Sequence, residues 1–241
     1  LEWNSIPEFY IVLIEPKYGG NIGAVARAMA NFDFKNLYLI NPCDLDGDCY
    51  ARAMHAQDIL NDAKIFPSFD EAIKHLDYLV ATSSIESKKD KRHLRLPLNL
   101  FDFCNKIFET EGNVGLIFGR EDYGLFNEEI AMCDIMIRIP TSNTYSSMNL
   151  SHAVTVVLFS LFVNKNMINN NKRSLNRIEK EKLFSFFSEL LDSIDYPKHK
   201  KENTKLMFKR LMGRAMPSKW EYHTFMGVLS ESIQKIKKKK E

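Results

Sequence analysis

The chain has 241 residues, with 33 Lys+Arg against 31 Asp+Glu, a formal net charge of +2 and 45% hydrophobic residues. Such a make-up fits one large globular domain, or a medium one and a small one. It excludes a disulfide-stapled miniprotein, a collagen-like repeat and a mostly disordered chain, and no run of about 18 apolar residues is present to span a membrane.

In chain order, Phe9–Glu15 reads as a buried strand, Asn21–Asn31 as an Ala-rich helix with Asn21 as a good N-cap, and Leu37–Ile40 as a strand. Residues 49–60 read as helix, and Ser68-Phe69-Asp70-Glu71 has the spacing of a capping box. Tyr78–Ala81 is a strand, 98–109 a helix, Val114–Phe118 a strand, Asn127 a helix cap, Ile135–Ile139 a strand and 149–163 a helix. The strands are continuous apolar runs, as expected of a parallel sheet covered on both faces. The fold class is therefore α/β with right-handed crossovers, over residues 1–164. An asparagine-rich stretch, 165–177, reads as a linker. Beyond it, residues 178–241 predict three helices: 178–194, 203–215, and one from a second capping box (Ser218 to Glu221) to about Ile236, with the lysines of 237–240 fraying.

The near-neutral total conceals an asymmetry. Residues 1–163 carry 14 Lys+Arg against 22 Asp+Glu, and residues 164–241 carry 19 against 9. A basic appendage on an acidic body suggests a polyanion held by one part and processed by the other; the plainer reading is a solvated helical tail. The acidic body keeps a few local cations, chiefly Arg27 and Arg120. The four cysteines are irregularly spaced and no metal-ligand pattern exists, so no metal site is assigned. No secretory signal is visible, so reduced thiols and a cytoplasmic location are expected.

Ligands in an open α/β sheet sit beyond the carboxyl ends of the strands. Three loops there are unusual. Glu15–Arg27 ends in two glycines and runs into a small-residue helix carrying Arg27. Phe118–Leu125 (FGREDYGL) places a charged cluster between Gly119, which leaves room for a ligand, and Gly124, while Glu121 is positioned to cap a neighbouring loop or to fix Arg27. Ile139–Ala153 is a long polar loop offering uncharged hydrogen-bonding groups, as a nucleoside needs. Each also has a bland reading: a βα turn with Arg27 at its exposed edge, a polar turn, and a capping segment.

Together these loops resemble the SPOUT superfamily of RNA methyltransferases, in its ribose 2'-O-methylating branch. Glu15–Arg27 matches E-P-x-x-x-G-N-I-G-A-x-A-R, Phe118–Leu125 matches F-G-R-E-x-x-G-L, and Ile139–Ala153 matches I-P-T-S…S-x-N-L-S-x-A. Leu206–Pro217 is similar to the subfamily that methylates nucleotide 32 in the tRNA anticodon loop. One departure is Met148, where many members have Leu. The resemblance implies a deep trefoil knot, a homodimer with the active site across its interface, and no membrane association. It implies S-adenosyl-L-methionine as cofactor (S-adenosyl-L-homocysteine as product), contacted by Thr82, Ser83, Ser84, Gly119, Ile139, Ser146, Ser147 and Met148. It implies Arg27 as the key catalytic group, with Asn21, Glu121, Ser147 and Asn149 shaping the site. A guanidinium is a poor base at neutral pH, so Arg27 is assigned to phosphate holding and alkoxide stabilisation. Lys205, Lys209, Arg210 and Arg214 are the candidate tRNA contacts, or else solvated cations. The alternatives are a ribosomal RNA or other tRNA position as target, and a non-catalytic RNA-binding module on the same fold.

Overall fold

The computed structural model describes residues 7–83, 97–165 and 175–240. Seven strands form one sheet: β1 (Glu8–Ile14), β2 (Asn36–Ile40), β3 (Lys64–Phe66), β4 (Tyr78–Thr82), β5 (Leu98–Asn99), β6 (Asn113–Phe118) and β7 (Ile135–Arg138). Their order is β3-β2-β1-β6-β4-β7-β5, and every pair is parallel. The α/β expectation is borne out. Seven helices cover the sheet: α1 (Gly19–Asn31), α2 (Gly47–Ala53), α3 (Gln57–Asn61), α4 (Phe69–Ile73), α5 (Leu100–Ile107), α6 (Asn127–Met132) and α7 (Leu150–Lys165). In β1, Ile11 and Leu13 pack with α1, α5 and α7, whereas Val12 and Ile14 pack with α4 and α6. Burial on both faces is why the strands read as unbroken apolar runs.

Local differences from the sequence reading have local causes. The helix expected over 49–60 breaks at Met54, whose φ of 54° ends α2, and a single 3-10 turn (Met54–Ala56) leads into α3. Edge strand β3 is short and mostly exposed, too polar for an apolar-run criterion. The stretch 98–109 divides into β5 and α5, with the Asn99 side chain accepting from the Phe101 amide at 2.9 Å. Helix α1 starts at Gly19, so Asn21 lies inside its first turn rather than capping it. Phe126, not Asn127, holds the N-cap position of α6, and the Glu129 carboxylate accepts from its amide at 2.7 Å. Ser68 caps α4 as the first box predicts, its Oγ accepting from the Glu71 amide at 3.3 Å. A Cβ on Gly23 would meet the Cys49 carbonyl oxygen at 2.0 Å, so part of the small-residue face of α1 receives α2 of the same chain.

The basic half forms three helices around a separate core: α8 (Arg177–Ser193), α9 (Lys198–Ala215) and α10 (Lys219–Lys240). Helix α9 starts a turn earlier than expected, and α10 runs to Lys240 without fraying. Leu183, Phe208, Tyr222 and Leu229 fill the core, and Phe187 stacks on Phe208 at 3.8 Å. Most of the expected linker, 166–174, lies outside the described residues.

One end of this helical unit docks on the amino ends of β4 and β7 and on the last turns of α4 and α6. The Asp134 carbonyl lies where a Cβ on Gly213 would sit, 2.0 Å away, and the Tyr78 hydroxyl donates to the Gly213 carbonyl. The Lys180 ammonium donates to the Asp77 carbonyl and pairs with Asp134 at 3.3 Å; burial pushes its pKa below the usual lysine value, against the pull of Asp134. Arg177 donates to the Ile73 carbonyl at 3.0 Å. Two expected RNA contacts belong to this joint. Lys209 donates to the Met132 carbonyl (3.1 Å) and Arg210, 4% exposed, to those of Cys133 (3.1 Å) and Ile130. These carbonyls lie at and just beyond the end of α6, where intrahelical donors run out; the Ile130 carbonyl also accepts from the Cys133 amide at 3.2 Å. That corrects their assignment as exposed RNA contacts. Arg214 is half-buried, with one guanidinium nitrogen unpartnered among the described residues. Lys205 stays near the surface, paired with Glu202 at 3.0 Å.

Candidate active site

The three flagged loops meet at the carboxyl ends of β1, β4, β6 and β7. The second and third of them, with the end of β4, wall a cavity of about 310 Å³ lined by Thr82, Ser83, Gly119, Ile139 and the segment Ser146–Met148. Beside it lies a more open cleft of about 700 Å³, formed by residues 17–21 and by Asp44, Asp46 and Asp48. Glu121, Met148 and Leu150 belong to both walls. Of the residues expected at the cofactor, Thr82, Ser83, Gly119, Ile139, Ser146, Ser147 and Met148 line the cavity together, and Ser84 lies outside the described residues.

The end of β4 is pinned between its neighbours. Thr82 Oγ1 donates to the Ile117 carbonyl at 3.0 Å, and the Ser83 amide to the Ile137 carbonyl at 3.1 Å. After β6 the chain makes a tight loop in which Arg120 and Gly124 exchange backbone hydrogen bonds of 3.2 and 2.9 Å. Gly124 takes φ 65°, which glycine adopts without cost. A Cβ on Gly119 would meet Gly124 backbone at 2.2 Å. Gly119 is thus required by its own turn, and the space beside its Cα is not left for a ligand.

Arg120 is likewise spent on structure. It is 8% exposed, pairs with Glu15 at 2.8 Å and Glu129 at 3.0 Å, and lies 4.1 Å over the Phe126 ring. Hydrogen bonding to Glu15, then Glu129, raises its pKa further, and the Glu15 carboxyl is held below its ordinary value by Arg120. It is not the free cation that the sequence suggested.

A chain of hydrogen bonds runs from Glu121, on the shared wall, to two asparagines that line the cleft. Asn149 Nδ2 donates to Asn21 Oδ1 at 3.1 Å, and Asn21 Nδ2 donates to Glu121 Oε1 at 2.9 Å. Glu121 Oε2 accepts from the Lys17 amide at 3.2 Å, so Glu121 does cap a neighbouring loop. Asn149 Oδ1 accepts from the Ser151 amide and hydroxyl at 2.9 and 2.7 Å, which fixes the entry to α7. Ser147 is exposed at the cavity mouth.

Arg27 is exposed on α1 and lines neither space. It follows Asn21 by six residues, which on a helix places it about 120° round and 9 Å along. The chain alone does not bring Arg27 to the Asn21–Glu121–Asn149 group.

Sequence reasoning missed the acidity of the cleft, although the alternation Asp44, Asp46, Asp48 in the loop after β2 carries it. Asp46 accepts from the Cys49 amide at 3.0 Å and Asp48 pairs with Arg52 at 3.1 Å. Cys43 lies in this cleft, and burial together with Asp46 pushes its thiol pKa up, so it is no nucleophile at neutral pH. Lys17 was missed too; it pairs with Asp122, joining the loops after β1 and β6. Among the described residues no group of three or more His, Cys, Asp or Glu could hold a metal, and no helix is long and apolar enough to cross a membrane.

Comparison with known proteins agrees with this arrangement. The chain is 42% identical over 221 residues, 90% of this chain and 96% of the other, to a tRNA (cytidine-2'-O-)-methyltransferase, TrmJ, of Methanocaldococcus jannaschii. It is 33% identical over 230 residues, 95% of each chain, to the like-named protein of Sulfolobus acidocaldarius. Among solved structures, a probable methylase family protein from Haemophilus influenzae superposes with a TM-score of 0.68 at 30% identity, covering 97% of this chain and 99% of that one. TrmJ from Z. mobilis superposes with a TM-score of 0.67 at 27% identity, covering 94% and 99%. Residues 8–159 match the SpoU rRNA Methylase family, and the chain belongs to that family.

Proposed function

We propose that the protein transfers a methyl group from S-adenosyl-L-methionine to a ribose 2'-hydroxyl of tRNA, at nucleotide 32 of the anticodon loop. The observation that carries the reading is the Asn149–Asn21–Glu121 chain, which lines the open cleft and reaches the neighbouring cavity at Glu121. The cavity suits the cofactor: Phe118, Leu125, Ile139 and Leu150 offer an apolar seat for a flat base, and Ser146 and Ser147 lie beside it. When bound, the cofactor supplies a methyl group already activated on a sulfonium.

The chain's own contribution is placement and charge. Glu121, held by two donors, fixes the Asn21 amide, and Asn21 in turn fixes Asn149 at the boundary between cavity and cleft. Holding the ribose hydroxyl in line there supplies a large part of the acceleration. Developing alkoxide charge needs a cation. Lys17 and Arg120 are already paired with carboxylates, so Arg27 of a second copy is the group assigned to it. A homodimer is therefore part of the reading. Its support is the outer face of α7, where Phe159 (54% exposed), Phe162 and Val163 form an apolar surface beside Phe32. The trefoil knot belongs to the same reading, supported by the loop after β7 meeting the ends of β4 and β6 at the cavity.

The tRNA substrate is supported by relatives so named that match the helical unit as well as the sheet, and position 32 by the similarity of Leu206–Pro217. The deciding experiment incubates the protein with labelled cofactor and bulk tRNA and maps the new 2'-O-methyl groups. Methyl transfer to nucleotide 32 is expected. A ribosomal RNA target is the second reading, favoured by the description of the matched family. RNA binding without transfer leaves only the non-catalytic module.

A further inference from the structure

The three-helix unit is docked by one end, and its other end is strongly basic. At the docked end lie Arg177, Lys180, Arg210 and Gly213. At the far end, the start of α9 and the finish of α10 converge on the last turns of α8. Two ion pairs fix that convergence: Lys201 with Asp192, and Lys237 with Glu189 at 2.8 Å. Eight lysines from residues 198–205 and 235–239 meet five carboxylates from 189–202 and Glu231. Four of the lysines are paired locally, the other two pairs being Lys205–Glu202 and Lys235–Glu231. Lys198, Lys200, Lys238 and Lys239 are exposed, and among the described residues no carboxylate lies within ion-pairing distance of them.

This basic end stands away from the cavity. Lys200 precedes Gly213 by 13 residues of continuous helix, about 20 Å. The docking face, moreover, lies at the amino ends of β4 and β7, and the cavity at their carboxyl ends. A cation so placed does not reach a reacting ribose at the cavity of its own chain. It does reach backbone phosphates elsewhere on a large polyanion.

The geometry points to the end formed by Lys198, Lys200, Lys238 and Lys239 as a docking surface for the RNA substrate's sugar-phosphate backbone, remote from the reacting nucleotide. The inference rests on the RNA reading above and moves the grip from the middle of α9 to the end of the unit. Contacts of this kind strengthen binding without reading sequence and weaken with salt.

The test is the fourfold variant K198E/K200E/K238E/K239E, studied as the full chain. All four side chains are exposed, so the thermal midpoint should stay at the wild-type value. Affinity for full-length tRNA should fall about tenfold or more, with a shallower dependence on salt. KM for that tRNA should rise similarly while kcat stays within about twofold. Methylation of a short hairpin carrying only the target loop should be unchanged, because it does not extend to the basic end. Unchanged tRNA affinity overturns the inference. So does an equal loss on the hairpin, which would put the lysines at the reacting end. Because binding is read directly, a wild-type protein that binds tRNA but transfers no methyl group fails the enzymatic reading and leaves this surface to be judged by the variant's affinity.

Discussion

Asn149 and Asn21, 128 residues apart in the chain, are joined by a 3.1 Å hydrogen bond, and the second of them passes its own amide to Glu121 at 2.9 Å. The middle of this relay needs a group that accepts on one side and donates on the other, as the neutral Asn21 amide does. Asn21→Asp keeps the acceptor for Asn149 but turns a carboxylate oxygen toward Glu121. Two facing carboxylates repel, and as the pH falls one of them takes up a proton and can donate again. The expected result is a loss of turnover of about a hundredfold at neutral pH, roughly 2.7 kcal/mol, partly recovered at lower pH. A pH–rate profile parallel to the wild type's would contradict it.

Arg27 stands apart from this relay on its own chain. Arg27→Ala should abolish methyl transfer and leave cofactor affinity within about twofold, because Arg27 is not among the described residues that line the cavity assigned to the cofactor. Calorimetric titration with the cofactor, run beside a turnover assay, reads both. Near wild-type turnover would remove Arg27 from the mechanism.

The joint between the two units is close at Gly213. Gly213→Ala places a Cβ 2.0 Å from the Asp134 carbonyl oxygen, which is backbone and cannot swing aside. A stability loss of about 1–3 kcal/mol is expected in urea unfolding, as for overpacking elsewhere. Gly227, with open space where its Cβ would be, is the control; Gly227→Ala should not destabilise.

Arg120 joins Glu15 to Glu129 beneath the cavity. Arg120→Met leaves Glu129, whose side chain is 12% exposed, without its cation, and should cost about 3–5 kcal/mol. Glu15 gives the pH dependence. Its hydrogen bond to Arg120 holds its pKa below the ordinary 4.5 in the folded state. The stabilisation is therefore present above 4.5 and is lost as acidification protonates the carboxyl in the folded chain. The Glu15 side chain is 45% exposed, so solvent screening keeps the effect below about 1 kcal/mol. Glu15→Gln should flatten the stability profile between about pH 5 and pH 3. An unaltered acid limb would assign that limb to other carboxylates.

What the sequence determined by itself was whatever depends on near neighbours or on periodicity. The runs at Ile11–Ile14 and Leu116–Phe118 are apolar throughout because both faces of each strand are covered, so the parallel sheet was legible before any contact was known. Ser68 caps α4 through the Glu71 amide because both lie within one turn. The loops of the candidate site were legible because a parallel sheet places every βα loop at one end. Tertiary structure decided what each charged or polar group in those loops is used for. Asn21 has the composition of a helix cap, and it bridges Glu121 and Asn149 because the loops after β1, β6 and β7 meet in space. Arg120 and Arg27 look alike as cations beside glycines, yet one is enclosed by two carboxylates and the other faces solvent. Lys209 and Arg210 look like an RNA surface beside Lys205, and they point the other way because that side of α9 meets the last turn of α6. Helical periodicity says which residues share a face; only packing across the fold says which face is buried.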